Sequence, residues 1–267
     1  MLSRDGYFSP ESVIRRIGND PLVPLLGGGP AVLLQVAHPL VAAGVVAHSD
    51  YRRDLWRRLL RTLRAVYLIV YGNKAEAERA GAAVQAVHAR VVGRTTEQMG
   101  PFPPGTPYSA SDPELMLWVH STLVETALVI YRRFVGPLAS GEDEAFYREM
   151  ALVARLIGTP ADVIPPTLAD FHAYVRGELS GRNIVVTPAA LDVAETVLDA
   201  PVPGPLRLAG PAHRLATAGL LPRRLRREYG LRWSSAHAAA LPVAARSLRL
   251  VVLPLARAAD QFGRVAA

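Results

Sequence analysis

Between Leu55 and Val92 the chain reads LWRRLLRTLRAVYLIVYGNKAEAERAGAAVQAVHARVV, and this stretch limits the fold more than any other. It contains no proline, and its single Gly72-Asn73 pair divides it into two helices. Gly72 ends the first helix; Asn73 can cap the second, with Glu76 three residues on completing a capping box. In the second helix Ala77, Ala80, Gly81, Val84, His88 and Val91 follow the spacing of one buried stripe. A histidine on a stripe of Ala, Gly and Val has room for something flat beside it. On the first helix Arg58, Arg61 and Thr62 fall within about 100° of arc. Ala65 and Ile69 continue that face, so its far end can be buried.

The rest of the chain is punctuated in the same way. Ser9-Pro10-Glu11 starts a short helix that Gly18 ends. Gly27-Gly28-Gly29 reads as a turn, with Pro30 opening the helix AVLLQVAH and Pro39 kinking or restarting it. Residues 93–109 form a loop too long for an ordinary helix connection. Ser111-Asp112-Pro113-Glu114 starts a helix that runs to Val135 before Gly136. Further helices are expected over 142–157, from Thr167 and Asp170 to Gly181, and from Pro188 to about Leu198. Three or four shorter ones follow from Pro205 onward. Ile184–Thr187 is the only convincing β-branched run. The expected fold is all-α: one domain over residues 1–267, of roughly eight to ten helices, with a core over 9–240 and basic helices over 205–267.

The 267 residues include no cysteine, which excludes disulfides, thiolate-ligated haem, iron–sulfur clusters and Cys-type zinc sites. The N-terminus lacks the apolar core of a signal peptide, and residues 113–131 carry His120 and Glu125 near their middle, so a buried helix is expected there. A cytoplasmic location follows as an expectation. The net charge of +7 is concentrated at the C-terminal end, where residues 201–267 hold 11 arginines against Glu228 and Asp260. Arg223, Arg224, Arg226 and Arg227 form the tightest cluster. It reads either as a solvated helical face or as a surface for peripheral contact with anionic lipid or an acidic protein. No zinc finger, RNP-type motif or dense aromatic interleaving accompanies it, so nucleic acid is not an expected partner.

HExxH, paired E-x-x-H motifs, a G-x-S-x-G elbow and strand-borne glycine loops are all absent. What remains is histidine in apolar surroundings: His38, His48, His88 and His120. A single such residue is ordinarily a core histidine bonded to a carbonyl or carboxylate. Four within the first 120 residues of a cysteine-free helical chain bring a histidine-ligated cofactor into view. Haem suits the pattern, because it needs small or aliphatic walls, a neutral imidazole for iron and arginines near its propionates.

Several stretches together resemble one family. They are GGGPAVLLQVAHPLVAAGVVAHSDY, the R-x-x-R-T of Arg58, Arg61 and Thr62, the V-H-A-R around His88, DPELMLWVHSTLVETALVIYRRFVGPL and IPPTLADFHAYV. In order and spacing the chain is similar to the haem oxygenases that include the bacterial latex-clearing proteins and the MpaB-type oxygenase of mycophenolic acid biosynthesis. The resemblance implies a globin-like helical core, one haem b, dioxygen as co-substrate and oxidative cleavage of a carbon–carbon double bond in an isoprenoid chain. By matching position it makes His88 the iron ligand and Arg58 and Thr62 the polar pair on the neighbouring helix. Arg61 stands where the rubber-cleaving members carry a lysine that can coordinate iron. A guanidinium stays protonated and has no lone pair for a metal.

The expected haem-contacting residues are therefore His88, Arg58, Val84, Gly81, His38 and His120, with Arg58, Arg61, Thr62 and Glu125 serving the reaction. On pattern alone each has an ordinary alternative. Arg58, Arg61 and Thr62 lie opposite the Leu59, Leu63, Val66, Val70 stripe and read as a solvated basic face. His120 beside Trp118 reads as a core histidine. His38, before Pro39, could bond to a carbonyl freed at the kink. Glu125 and Thr122 read as a buried polar pair, or Glu125 as a general base. The function expected is a haem-dependent oxygenase acting on an apolar, isoprenoid-like small molecule. The alternatives are a haem-binding sensor or carrier without turnover, and a cofactor-free helical interaction module with a basic surface.

Overall fold

Three adjacent glycines lie inside helix α2 (Leu22–Val36), and two of them set how closely its neighbours approach. The computed structural model describes residues 5–49, 51–199, 210–252 and 254, without the side chains of 51–59 and 252. Gly27-Gly28-Gly29 is therefore not the expected turn. A Cβ on Gly27 would meet Ile130 and Thr126 of helix α6 (Pro113–Ile130) at 3.1 and 3.3 Å. One on Gly29 would collide with Thr217 and His213 of helix α10 (Gly210–Leu220). Gly28 faces open space. The helix survives its glycines because two of them permit tight packing on opposite sides, which outweighs their poor propensity. Pro30 sits within the same helix rather than at its start.

Twelve α-helices are present among the described residues, with one small sheet. Around α2 stand α1 (Val13–Asn19), α3 (Pro39–His48), α6, α9 (Pro188–Asp199) and α10. The axis turns by 107° between α2 and α3, so Pro39 restarts the helix. Leu33, Val36, Ala42, Trp118, Ile184, Val193 and Leu225 fill one core between these helices. A second core joins α6 to α7 (Glu142–Leu156) and α8 (Leu168–Ser180) through Val124, Leu128, Phe146 and Phe171. Helix α6 is buried along most of its length, as expected. Among the described residues no single helix is long and apolar enough to cross a membrane.

The long loop contains a short antiparallel ribbon, β1 (Val92–Arg94) with β2 (Pro107–Ser109), pairing Gly93 with Tyr108. The Tyr108 ring fills the space over Gly93 and also lies beside Gly44, which docks the ribbon on α3. Ile184–Thr187 forms no strand. Its backbone groups go instead to helix ends and side chains: Val185 N–H donates to the Ala37 carbonyl, Val186 N–H to the Glu228 carboxylate, and Arg224 to the Ile184 carbonyl. β-branched residues mark an extended segment here, and pairing was satisfied without a neighbouring strand.

Helices α4 (Tyr51–Tyr71) and α5 (Lys74–His88) form a hairpin anchored at its closed end. Arg15, 2% exposed, donates from Nε to the Val70 carbonyl at 3.1 Å, and the Tyr71 hydroxyl donates back to the Arg15 carbonyl at 3.1 Å. The guanidinium also lies 5.4 Å from the centre of the Tyr71 ring. This clamp holds the end of α4 against α1.

Candidate active site

The α4–α5 hairpin owes its turn to local chemistry. The Asn73 side chain accepts from Glu76 N–H at 2.9 Å, and the Glu76 carboxylate accepts from Asn73 N–H at 2.8 Å. Beyond this cap the small-residue stripe behaves in two halves. Ala77, Ala80 and Gly81 are buried, whereas Val84 and His88 are half-buried. Gly81 lies directly under the Leu156 backbone at the end of α7, where a Cβ would collide with the Leu156 carbonyl. Gln85 reinforces the contact by donating to the same carbonyl at 3.1 Å. The missing side chain of Gly81 thus serves a helix–helix contact, and Val84 and His88 are the less buried part of the stripe.

His88 is the last residue of α5. Its Nδ1 is buried without a hydrogen-bond partner, and burial lowers the imidazole pKa, so the ring is neutral near pH 7. Among the described residues, no hydrogen bond at Nδ1 fixes which nitrogen carries the proton. Apolar side chains on the two helices are left in solvent: Val87 is 59% exposed, Leu60 on α4 is 62% exposed, and Leu63, Val66 and Tyr67 are exposed too. Arg61 and Thr62 are exposed on α4, while Ile69 farther along their face is buried. The Arg58 side chain lies outside the described residues.

His38 and His120 have partners of their own. His38 caps α3, its Nδ1 accepting from Leu40 N–H at 3.3 Å, with the ring 5.5 Å from Phe102. It takes up an N–H at the kink, where a bond to a freed carbonyl was expected. Burial pushes its pKa down to about 4. His120, 4% exposed, has its pKa lowered by burial to about 4; a hydrogen bond to the Met150 backbone opposes that shift, and Nε2 is left buried without a partner. His48 sits at the exposed end of α3, with Nε2 3.3 Å from the Tyr108 hydroxyl.

Glu125 lines a cavity between α2, α6, α8 and α10 that includes no residue of α4 or α5. Its carboxylate lies 3.8 Å from His172 of α8. Thr122 is engaged separately, accepting from Gln35 at 3.1 Å and donating to the Val119 carbonyl at 2.7 Å. Glu125 and Thr122 are therefore not a mutual pair. The three α6 positions Trp118, Thr122 and Glu125 come together, as do Val84 and His88 on α5, but on different sets of helices.

The family described as "ER-bound oxygenase mpaB/B'/Rubber oxygenase, catalytic domain" matches residues 15–251. The chain belongs to this family of oxygenase catalytic domains. Searches of curated proteins and of solved structures found no significant match. The mpaB/rubber oxygenase match runs through α10, α11 (Arg223–Glu228) and α12 (Ser235–Ser247), so the basic helices up to residue 251 are part of the oxygenase domain. Within the cluster expected to face a partner, Arg224 bonds to the Ile184 carbonyl and approaches Glu228 at 3.6 Å. Arg226 donates to the Leu221 carbonyl and lies 4.6 Å from the Trp233 ring centre. Two of the four arginines thus hold α11 in place, and Arg223 and Arg227 are the exposed ones.

Sequence reading passed over Ser121 in this mpaB/rubber oxygenase domain and found no special signal at His172. His172, Val175 and Leu179 share the i, i+3, i+7 spacing of one helix face; Val175 and Leu179 line the cavity and His172 faces Glu125 beside it.

Proposed function

We propose that this chain is a haem b-dependent oxygenase that oxidises or cleaves a carbon–carbon double bond in an apolar, isoprenoid-like small molecule. The observation that carries the reading is His88: a half-buried, neutral imidazole with an orphaned Nδ1, at the end of a small-residue helix. The exposed Leu60 and Val87 fit the same reading, because apolar side chains around a ligand site exclude water once it is filled. Haem, when bound, supplies the dioxygen-dependent oxidation, and the protein supplies binding and orientation.

In this reading His88 would hold the iron and Val84, one turn before it on α5, would be a wall of the site. Arg61 provides a permanent positive charge for a propionate, since a guanidinium donates hydrogen bonds and coordinates nothing. Thr62, one residue on, offers a hydroxyl on the same helix. Glu125 opens on its own cavity, so its service as a base would require a substrate that reaches from the hairpin to α6.

The experiment is an absorption spectrum of the purified chain after haem supplementation. A Soret band that is retained in Val87→Ala and lost in His88→Ala is expected. A colourless wild-type protein, or a band unchanged in His88→Ala, overturns the proposal.

A further inference from the structure

The cavity beside Glu125 has features that the haem reading does not use. It has a volume of about 90 Å³. Leu34, Trp118, Val175, Leu179 and Leu220 supply apolar walls from four helices and the polar edge runs along α6. Most polar groups on that edge are already engaged. Thr122 both accepts and donates, and Trp118 Nε1 donates to the Gln35 carbonyl at 3.4 Å. Thr126 turns its methyl toward Gly27. Glu125 faces His172 and is about one-third exposed, so water solvates it from outside. Ser121 differs: it is 1% exposed and its hydroxyl has no hydrogen-bond partner.

A buried hydroxyl left without a partner forfeits roughly 1–3 kcal/mol, which a ligand or water would recover. Water is a poor tenant here. A water there would have the Ser121 hydroxyl and the Glu125 carboxylate as partners, the fewest a buried water takes, and would leave the aliphatic walls unfilled. Charged ligands are disfavoured as well. An anion would meet Glu125, and a cation would lose its hydration against Leu, Val and Trp side chains. By comparison with a cavity of about 150 Å³ that holds benzene, this volume takes roughly three or four heavy atoms.

We infer that this cavity is a binding site for a small neutral molecule with a single oxygen, a short ketone or alcohol, held by the Ser121 hydroxyl. A ketone oxygen accepts from Ser121, an alcohol either accepts or donates, and the alkyl portion packs against Val175, Leu179 and Leu220. The site involves no residue of α4 or α5 and does not depend on the haem proposal.

The test is a methyl-detected NMR titration of the purified full chain with acetone and with 2-propanol, using acetate as the charged control. Saturable shifts confined to methyls of Leu34, Val175, Leu179 and Leu220 are expected, with a Kd on the order of 1–10 mM for so small a ligand. Ser121→Ala should weaken acetone about fivefold, the loss of one neutral hydrogen bond. Leu220→Phe, which fills the cavity from half-buried α10, should abolish the shifts and keeps the test decisive if Ser121→Ala folds poorly. Shifts that never saturate, acetate binding as tightly as acetone, or affinity unchanged in Ser121→Ala each overturn the inference. A failed titration leaves the Soret experiment untouched, so the two ideas fail separately.

Discussion

Asn73 and Glu76 satisfy each other's backbone N–H groups, each side chain accepting from the other residue at under 3 Å. That reciprocity fixes where α5 starts, and four turns later the helix delivers His88. The direction of α5 is thus set at one end by a cap and along its side by Gly81 under Leu156. A cap of this kind is worth about 1 kcal/mol. Asn73→Ala should lower the melting temperature by about 2–4 °C, whereas Asn73→Asp, which keeps the acceptor, should stay close to wild type. Thermal denaturation followed by circular dichroism measures both.

The three glycines of α2 should respond differently to one added methyl group. Gly28→Ala meets nothing within 4 Å and should stabilise by about 1 kcal/mol through helix propensity. Gly27→Ala crowds Ile130 and Thr126, and Gly29→Ala strikes Thr217 and His213. Overpacking of this kind costs about 1–3 kcal/mol. Gly29→Ala should be the worst of the three in urea unfolding, because its obstacles are the closest. Equal effects at all three positions would contradict the packing described for α2.

Acid should destabilise the protein through its buried imidazoles. His38 and His120 have folded pKa values near 4, depressed mainly by burial, against an ordinary value of 6.5. Between those limits the unfolded chain binds protons that the folded chain refuses, so stability falls as pH drops from about 6.5 to 4 and levels off below. Each ring accounts for about 2 kcal/mol between pH 7 and pH 5. His38→Asn keeps an N-cap acceptor for Leu40 N–H and removes one titration. Its stability should therefore vary less between pH 7 and pH 5 than that of the wild type, as read from urea midpoints.

Helix starts were legible in the sequence wherever a side chain caps locally. Asp112 accepts from Glu114 and Leu115 N–H, Thr167 from Asp170 N–H, and Asn73 from Glu76 N–H, each within three residues. The glycines of α2 misled because their role is decided by α6 and α10, which are distant in sequence. Ile184–Thr187 misled because strand propensity does not say whether a partner strand exists. At the site, the stripe periodicity correctly grouped Ala77 through His88 on one face, yet it could not say that α7 would cover Gly81 and stop short of Val84. Likewise Glu125 stood out as a carboxylate in an apolar helix, but its neighbour His172 comes from α8, 47 positions along the chain.

The residue most open to a direct chemical test is Arg61. In the haem reading it leaves the iron without a nitrogen donor from α4, because a guanidinium has no lone pair to offer a metal. A primary amine at the same place is different: it has a lone pair once deprotonated, and proximity to a metal makes deprotonation easier. Arg61→Lys, loaded with haem, should therefore gain a second nitrogen ligand as pH rises, seen as a shift of the Soret band toward a low-spin form. Arg61→Ala should show no such pH-dependent shift, and His88→Ala in the Arg61→Lys background should lose both the normal band and the low-spin form that needs two nitrogen ligands. An Arg61→Lys spectrum that matches wild type from pH 6 to pH 10 would show that this face of α4 does not reach the iron.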